Sequence, residues 1–140
     1  MAGNTRFDTS KVLAHFAEKR RQLTTAMALV VEGQAKINVR ENGQIDTGFM
    51  VNTVYTVGAS QNNYAQTWAD GEYKSTKRPG EWVDEKKAPE MAPSSDDSAI
   101  VAVGAEYAIY QEAAKSFLYK ALQQSKGAFG ATVKKVAQDD

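Results

Sequence analysis

The tripeptide Asp46-Thr47-Gly48 is the first feature of the sequence that could carry out chemistry, because Asp-Thr-Gly is the catalytic signature of aspartic proteases. Such a protease needs two carboxylates that share one proton. A chain of this length would have to dimerise to pair Asp46 with its counterpart. The Ala-Val-Gly that ends at Gly104 could supply the later packing element that retroviral-type proteases require. A dimeric aspartic protease is therefore the alternative function.

The surroundings of the tripeptide favour a structural role instead. Aspartic proteases are almost entirely β, whereas a long helix is predicted before Asp46, and bulky Phe49 follows Gly48 where a small residue is usual. In the simpler interpretation, Asp46 or Thr47 accepts backbone N–H groups in a turn and Gly48 adopts a positive φ angle. On this basis Gly48→Val should impair folding or assembly, and Asp46→Asn should be nearly silent.

The composition excludes several other kinds of site. The 140 residues include no Cys, which excludes disulfides and cysteine nucleophiles, and the single histidine, His15, excludes a two-histidine metal site within one chain. Lys plus Arg and Asp plus Glu both number 17, so the net charge is zero and gives no support to a dedicated nucleic-acid binder. The longest apolar run, 26–31, is too short for a membrane span, and the first ten residues lack a signal-peptide core. We predict a cytoplasmic, non-enzymatic chain with no metal, cofactor or membrane contact.

One long helix is predicted over residues 9–39, with Thr9 or Ser10 as its N-cap. Asn42-Gly43 predicts the turn that ends it. A cluster of basic residues at 19–21 is expected on its solvent-facing side rather than against DNA, because acidic residues dilute it. Residues at helical spacing predict one apolar stripe: Leu13, Phe16, Leu23, Met27, Val30 and Ile37.

The rest of the chain predicts a small sheet followed by a second helix. Strands are predicted at 49–57, at its hairpin partner 63–69, and at a central third strand, 99–105. Residues 107–114 are predicted to form a short helical or irregular segment. Residues 117–137 are predicted to form a helix, in which Gly127 and Gly130 mark a kink or a close helix contact. The charged stretch 71–98, which holds all three prolines, is predicted as an extended loop or arm. We therefore predict that residues 1–140 form one α+β domain, with an N-terminal and a C-terminal helix packed on an antiparallel or mixed sheet.

Taken in order, several short motifs resemble the neck and tail-completion (head–tail joining) proteins of long-tailed bacteriophages. The resemblance covers the chain except roughly residues 60–98. The chain departs from the family at 113–116, where Ala-Ala and Lys-Ser replace the usual Gly-Thr and Pro, so the conformation there stays open. The motif residues are Thr47, Gly48, Gly104, Tyr107, Ala108, Tyr110, Glu112, Phe117 and Leu118.

This resemblance implies a structural virion protein without catalysis. Such proteins form rings, commonly of six copies, between the capsid connector or head-closure protein and the tail terminator or tail tube, with DNA only as cargo in the lumen. They assemble in the host cytoplasm and end in the neck of the virion. On this view the arm at 71–98 lies on a neighbouring subunit, with Tyr73, Trp82 and Met91 as candidate interface anchors. The alternative for Trp82 is that it folds back on its own domain.

Overall fold

Helix α1, Thr9–Glu41, is the longest element of the computed structural model, which describes residues 8–138. Its N-cap is Asp8 rather than the predicted Thr9 or Ser10: the Asp8 carboxylate accepts the N–H groups of Ser10 at 3.1 Å and Lys11 at 3.3 Å. The helix ends at the predicted Asn-Gly turn, where Gly43 has a φ angle of 70°.

The predicted apolar stripe of α1 is not the face that the helix buries. Leu13 and Phe16 are 66% and 64% exposed, whereas Ala28, Val31 and Ala35 are buried. Burial in α1 begins only at Thr25, and the stripe residues Phe16 and Leu23 instead line a groove with Val133 and Val136. The prediction that the stripe residues form the buried face of α1 was therefore wrong, although the helix itself was correctly predicted.

Three antiparallel strands form the main sheet: β1 (Val54–Gly58), β2 (Gln61–Asn62) and β5 (Ile100–Val103), in the order β2-β1-β5. The central strand is β1, so the prediction that residues 99–105 form a central strand was wrong. The predicted hairpin partner at 63–69 was also wrong, because the two-residue β2 fills that role and a 3₁₀ turn follows it.

Strand β1 is buried on both faces, and this divides the core into two clusters. On the α1 side, Val54 packs with Val39 and Phe117 in the larger cluster. On the other side, Tyr55 and Val57 pack with Ala102 in the smaller one. The sheet is therefore covered by the helices on one face and by connecting segments on the other.

The predicted arm begins with a hairpin rather than an extended loop. Strands β3 (Gly71–Lys74) and β4 (Trp82–Glu85) pair antiparallel as a separate two-stranded sheet. The irregular stretch that follows lies on its own domain, because the N–H of Ala88 donates to the carbonyl of Gly104 at 2.6 Å and the N–H of Met91 donates to the Tyr55 hydroxyl at 2.9 Å.

The C-terminal part contains helices α2 (Ala108–Ala114), α3 (Leu118–Ser125) and α4 (Phe129–Gln138). A 3₁₀ turn at Lys126–Ala128 interrupts the continuous helix that was predicted over 117–137. The α+β fold, with N-terminal and C-terminal helices on a small antiparallel sheet, is confirmed. Within residues 8–138, no helix combines the length and the apolar character needed to cross a membrane.

Candidate functional site

Asp46 fastens the turn of the β3–β4 hairpin to the end of α1. Its carboxylate accepts the Ser75 hydroxyl at 2.5 Å and the N–H of Lys77 at 3.2 Å, and it lies 3.5 Å from the Arg78 guanidinium. The Ser75 hydroxyl is the strongest influence, and together with Lys77 and Arg78 it lowers the pKa of the Asp46 carboxyl in spite of partial burial. Both carboxylate oxygens of Asp46 therefore have partners within the chain, Oδ1 with Ser75 and Lys77 and Oδ2 with Arg78, which fits a structural role.

Thr47 and Tyr107 share one buried carboxylate, that of Glu85. The Thr47 hydroxyl donates to Glu85 Oε2 at 2.8 Å, and the Tyr107 hydroxyl donates to the same oxygen at 3.0 Å. Glu85 is only 5% exposed, so these donors offset the cost of burying its charge. Burial, followed by the nearby Glu85 charge, raises the pKa of Tyr107, which keeps the phenol protonated as a donor.

Gly48 adopts the positive φ angle that the sequence predicted, with a value of 90°. A Cβ atom at this position would lie 3.3 Å from the Trp68 ring. The carbonyl of Gly48 accepts the Asn52 side-chain amide at 2.8 Å and the Asn52 backbone N–H at 3.1 Å. Each residue of Asp-Thr-Gly therefore holds a different segment: the hairpin turn, the Glu85 carboxylate, and the 3₁₀ turn at Val51–Thr53.

Glu112, a residue of α2, caps the N-terminus of α3. Its Oε1 accepts the N–H groups of Phe117 at 2.9 Å and Leu118 at 2.8 Å, and its Oε2 accepts the Ser116 hydroxyl at 2.7 Å and the N–H of Tyr119 at 3.3 Å. Burial raises the pKa of the Glu112 carboxyl, but these four donors outweigh it and the net pKa is lowered. The carboxylate also faces the positive end of the helix dipole.

The remaining motif residues are mostly packing positions. A Cβ on Gly104 would lie 2.9 Å from the Cβ of buried Thr53, so the two strands could not keep their spacing with a larger residue there. Phe117 is 1% exposed in the main core, and Ala108 and Leu118 pack against that core. Tyr110 differs, since it is 75% exposed.

The three candidate interface residues have different surroundings. Tyr73 belongs to its own domain: its ring stacks on Trp68 with centroids 4.8 Å apart, and its hydroxyl donates to the carbonyl of Ala69 at 2.6 Å. Trp82 and Met91 are 64% and 59% exposed. Trp82 therefore does not fold back on its own domain, and it and Met91 remain candidates for contact with another molecule.

Buried polar residues that the sequence analysis missed hold the elements together. Asn38, 1% exposed on α1, donates to the Phe117 carbonyl at 3.0 Å. Glu32, 8% exposed, accepts the Thr56 hydroxyl and the Asn63 amide, both at 2.9 Å. No local pattern separates these residues from the solvent-facing polar residues of the same helix, because their partners lie far away in the chain.

The basic cluster near the start of α1 is engaged by acidic side chains. Arg20 lies 3.0 Å from Asp97, and Arg21 lies 3.4 Å from Glu18 and 3.7 Å from Asp97. These exposed pairs compensate part of the positive charge that a DNA-facing surface would need. Within residues 8–138, no group of three or more His, Asp or Glu side chains is placed to hold a metal ion.

The contacts of Asp46 change the expectation for Asp46→Asn from nearly silent to measurable. An asparagine keeps one oxygen for Ser75 and Lys77 but presents a neutral amide to Arg78, so we expect a loss of up to about 1 kcal/mol in the free energy of unfolding. Asp46→Ala removes every side-chain acceptor, although the backbone carbonyl still accepts from Thr76, and should cost about 2 kcal/mol. Urea denaturation of both variants checks this ranking, and an alanine variant as stable as wild type would contradict it.

Comparison of this chain with protein-family models, with curated proteins and with solved structures gave no match. The functional argument therefore depends on the residues and contacts described above.

Proposed function

We propose that this chain is a structural virion protein, a ring-forming tail-completion subunit in the neck of a long-tailed bacteriophage. As a ring, commonly of six copies, it joins the capsid connector or head-closure protein to the tail terminator or tail tube. DNA passes through the lumen as cargo. The subunit assembles in the host cytoplasm and performs no catalysis.

The observation that carries this proposal is that most of the motif residues hold segments of the fold together. Thr47 and Tyr107 meet at Glu85, Glu112 caps α3, and Phe117 lies in the core beneath that cap. The polar members of the motif are thus occupied in holding segments together. A motif used in this way suits a structural protein, since its contacts position surfaces rather than reacting atoms.

The exposed apolar residues give the proposal its second support. Trp82, Met91 and Ile109 are 64%, 59% and 71% exposed, although large apolar side chains are costly to leave in water. Aromatic and Met residues are enriched at the centres of protein interfaces. A net charge of zero also leaves little electrostatic repulsion between copies.

Replacement of Trp82 tests the role of the hairpin in assembly. Because the ring is exposed, Trp82→Asp should leave the fold intact, as judged by circular dichroism, but should abolish rings in native mass spectrometry and negative-stain images. The same variant should fail to rescue head–tail joining in a phage that lacks the gene. Phe16→Asp is the matched control, since it places the same charge at an equally exposed aromatic position on α1 and should leave assembly unchanged.

Two outcomes would overturn the proposal. One is normal head–tail joining in the phage that lacks the gene. The other is a purified chain that neither forms rings nor binds connector or tail proteins under any condition in which wild-type particles assemble.

A further inference from the structure

Strand β5 ends the main sheet and leaves one edge open. In an antiparallel ladder, successive residues direct their N–H and C=O groups to opposite sides. The N–H of Gly104 donates to the Thr53 carbonyl at 2.8 Å, and Ala102 pairs with Tyr55, so these residues face β1. The backbone groups of the alternate residues, Val101 and Val103, therefore point away from the sheet.

The bonds at the end of β5 leave this edge open. Lys87 bridges to Ala105, and the N–H of Ala88 donates to the carbonyl of Gly104, a residue whose backbone groups face β1. Among residues 8–138, no backbone or side-chain hydrogen bond reaches the outward groups of Val101 and Val103. Natural sheets protect such edges with charges, prolines or bulges, and the sequence Ile100–Val103 contains no charge and no proline.

Two adjoining apolar grooves lie beside this edge and share Val101 and Leu118. One, of about 570 Å³, lies between α1 and the C-terminal helices and is lined by Met27, Val101 and Leu122. The other, of about 400 Å³, is lined by Val103 together with exposed Met91 and Ile109. The edge thus offers unpaired backbone groups with apolar space beside them, which are the features that an added strand uses.

We propose that the occupant of this edge is β5 of a second copy of the chain, paired antiparallel about a two-fold axis at Ala102. In that register Val101 lies opposite Val103 of the second copy, and Val103 lies opposite Val101. Both are pairs of outward-facing residues, so all four N–H groups and all four C=O groups at these positions find partners. The two sheets join into one of six strands.

The charge distribution agrees with a self-pairing edge. Residues 99–105 carry no charged side chain, so the two-fold axis brings no like charges together, and the whole chain has a net charge of zero. Exposed Met91 and Ile109 beside the edge lose water when the second copy approaches. A two-fold contact joins two subunits only and cannot close a ring, so this inference does not depend on the proposed neck function.

The test follows amide hydrogen exchange, residue by residue, in the wild-type chain across a concentration series. Below the dimerisation range, Ile100 and Ala102 should be protected by β1, while Val101 and Val103 should exchange rapidly. In the dimer, measured in parallel by sedimentation equilibrium, Val101 and Val103 should become protected. A chain that stays monomeric at its highest soluble concentration overturns the proposal, as does a dimer in which these two amides still exchange rapidly.

Two variants complete the test. Val101→Pro removes one outward N–H while keeping an apolar side chain, and proline is tolerated at an edge; it should shift the dimer to monomer. Val101→Ile keeps the N–H and should remain dimeric. A folded Val101→Pro chain that dimerises as tightly as wild type overturns the proposal. Rings that form in neck assembly without protection of Val101 and Val103 would overturn this inference alone and leave the proposed function standing.

Discussion

Gly48→Val is expected to lower the free energy of unfolding by about 3 kcal/mol. The φ angle of 90° at this position is one that residues with a Cβ rarely adopt, and a β-branched residue tolerates it least. The added side chain would also meet the Trp68 ring, since even a Cβ lies 3.3 Å from it. Trp68 stacks on Tyr73, so the displacement would reach the hairpin.

Gly43 provides the matched control for this prediction. Its φ angle is 70°, but a Cβ there would have no neighbour within 4 Å. Gly43→Ala should therefore report backbone strain alone, about 1 kcal/mol, and Gly48→Ala should cost more because it adds the Trp68 contact. Guanidinium denaturation with a shared slope measures all three variants. Equal losses for Gly43→Ala and Gly48→Ala would show that Trp68 adjusts without cost.

Glu112→Ala is the second substitution with a large expected effect, about 2–3 kcal/mol. It leaves the N–H groups of Phe117, Leu118 and Tyr119 without their acceptor at the start of α3. The cap stands next to Phe117, which is buried in the main core, so fraying of α3 would open that core. Ala113→Ser, one residue away on an exposed position, serves as the control and should change the stability little.

The pH dependence of the unfolding free energy separates the contribution of the Glu112 charge from that of its hydrogen-bonding side chain. Because the folded-state pKa is lowered, the stabilisation from the carboxylate is complete above the ordinary glutamate pKa of about 4.3 and is lost as the pH falls through the folded value. The difference in unfolding free energy between wild type and Glu112→Gln should thus be constant near neutral pH and shrink in acid. A difference that does not change down to the acid limit would show that the charge contributes nothing.

The sequence was sufficient to predict features that depend on local chemistry. The long helix, its Asn-Gly end and the positive φ angle of Gly48 follow from residue preferences within a few positions. The hairpin at Gly71–Glu85 was missed, although Pro79-Gly80 marks its turn, because its four-residue strands alternate charged residues with few apolar ones. The dense charge of that region favoured a loop.

What escaped prediction depends on partners that are distant in sequence. Glu85 sits in a run of charged residues that is typical of a solvated surface, yet it is buried because Thr47 and Tyr107 reach it from other segments. Which face of α1 is buried depended on the shape of the sheet beneath it. Burial begins at Thr25 and includes Ala28 and Ala35, whereas Leu13 and Phe16 lie in the N-terminal turns that precede this contact.

The pairing of β1 with β5 has a consequence for the order in which the chain folds. The hairpin and its flanking segments, residues 59–99, separate the two strands, so the sheet closes only after a long loop has lost its conformational freedom. The bonds from Asp46 to the hairpin turn shorten that loop when they form first. Helix α1 and the hairpin are therefore expected to form early, with closure of β5 as the slow step, and Asp46→Ala should slow refolding more than it speeds unfolding.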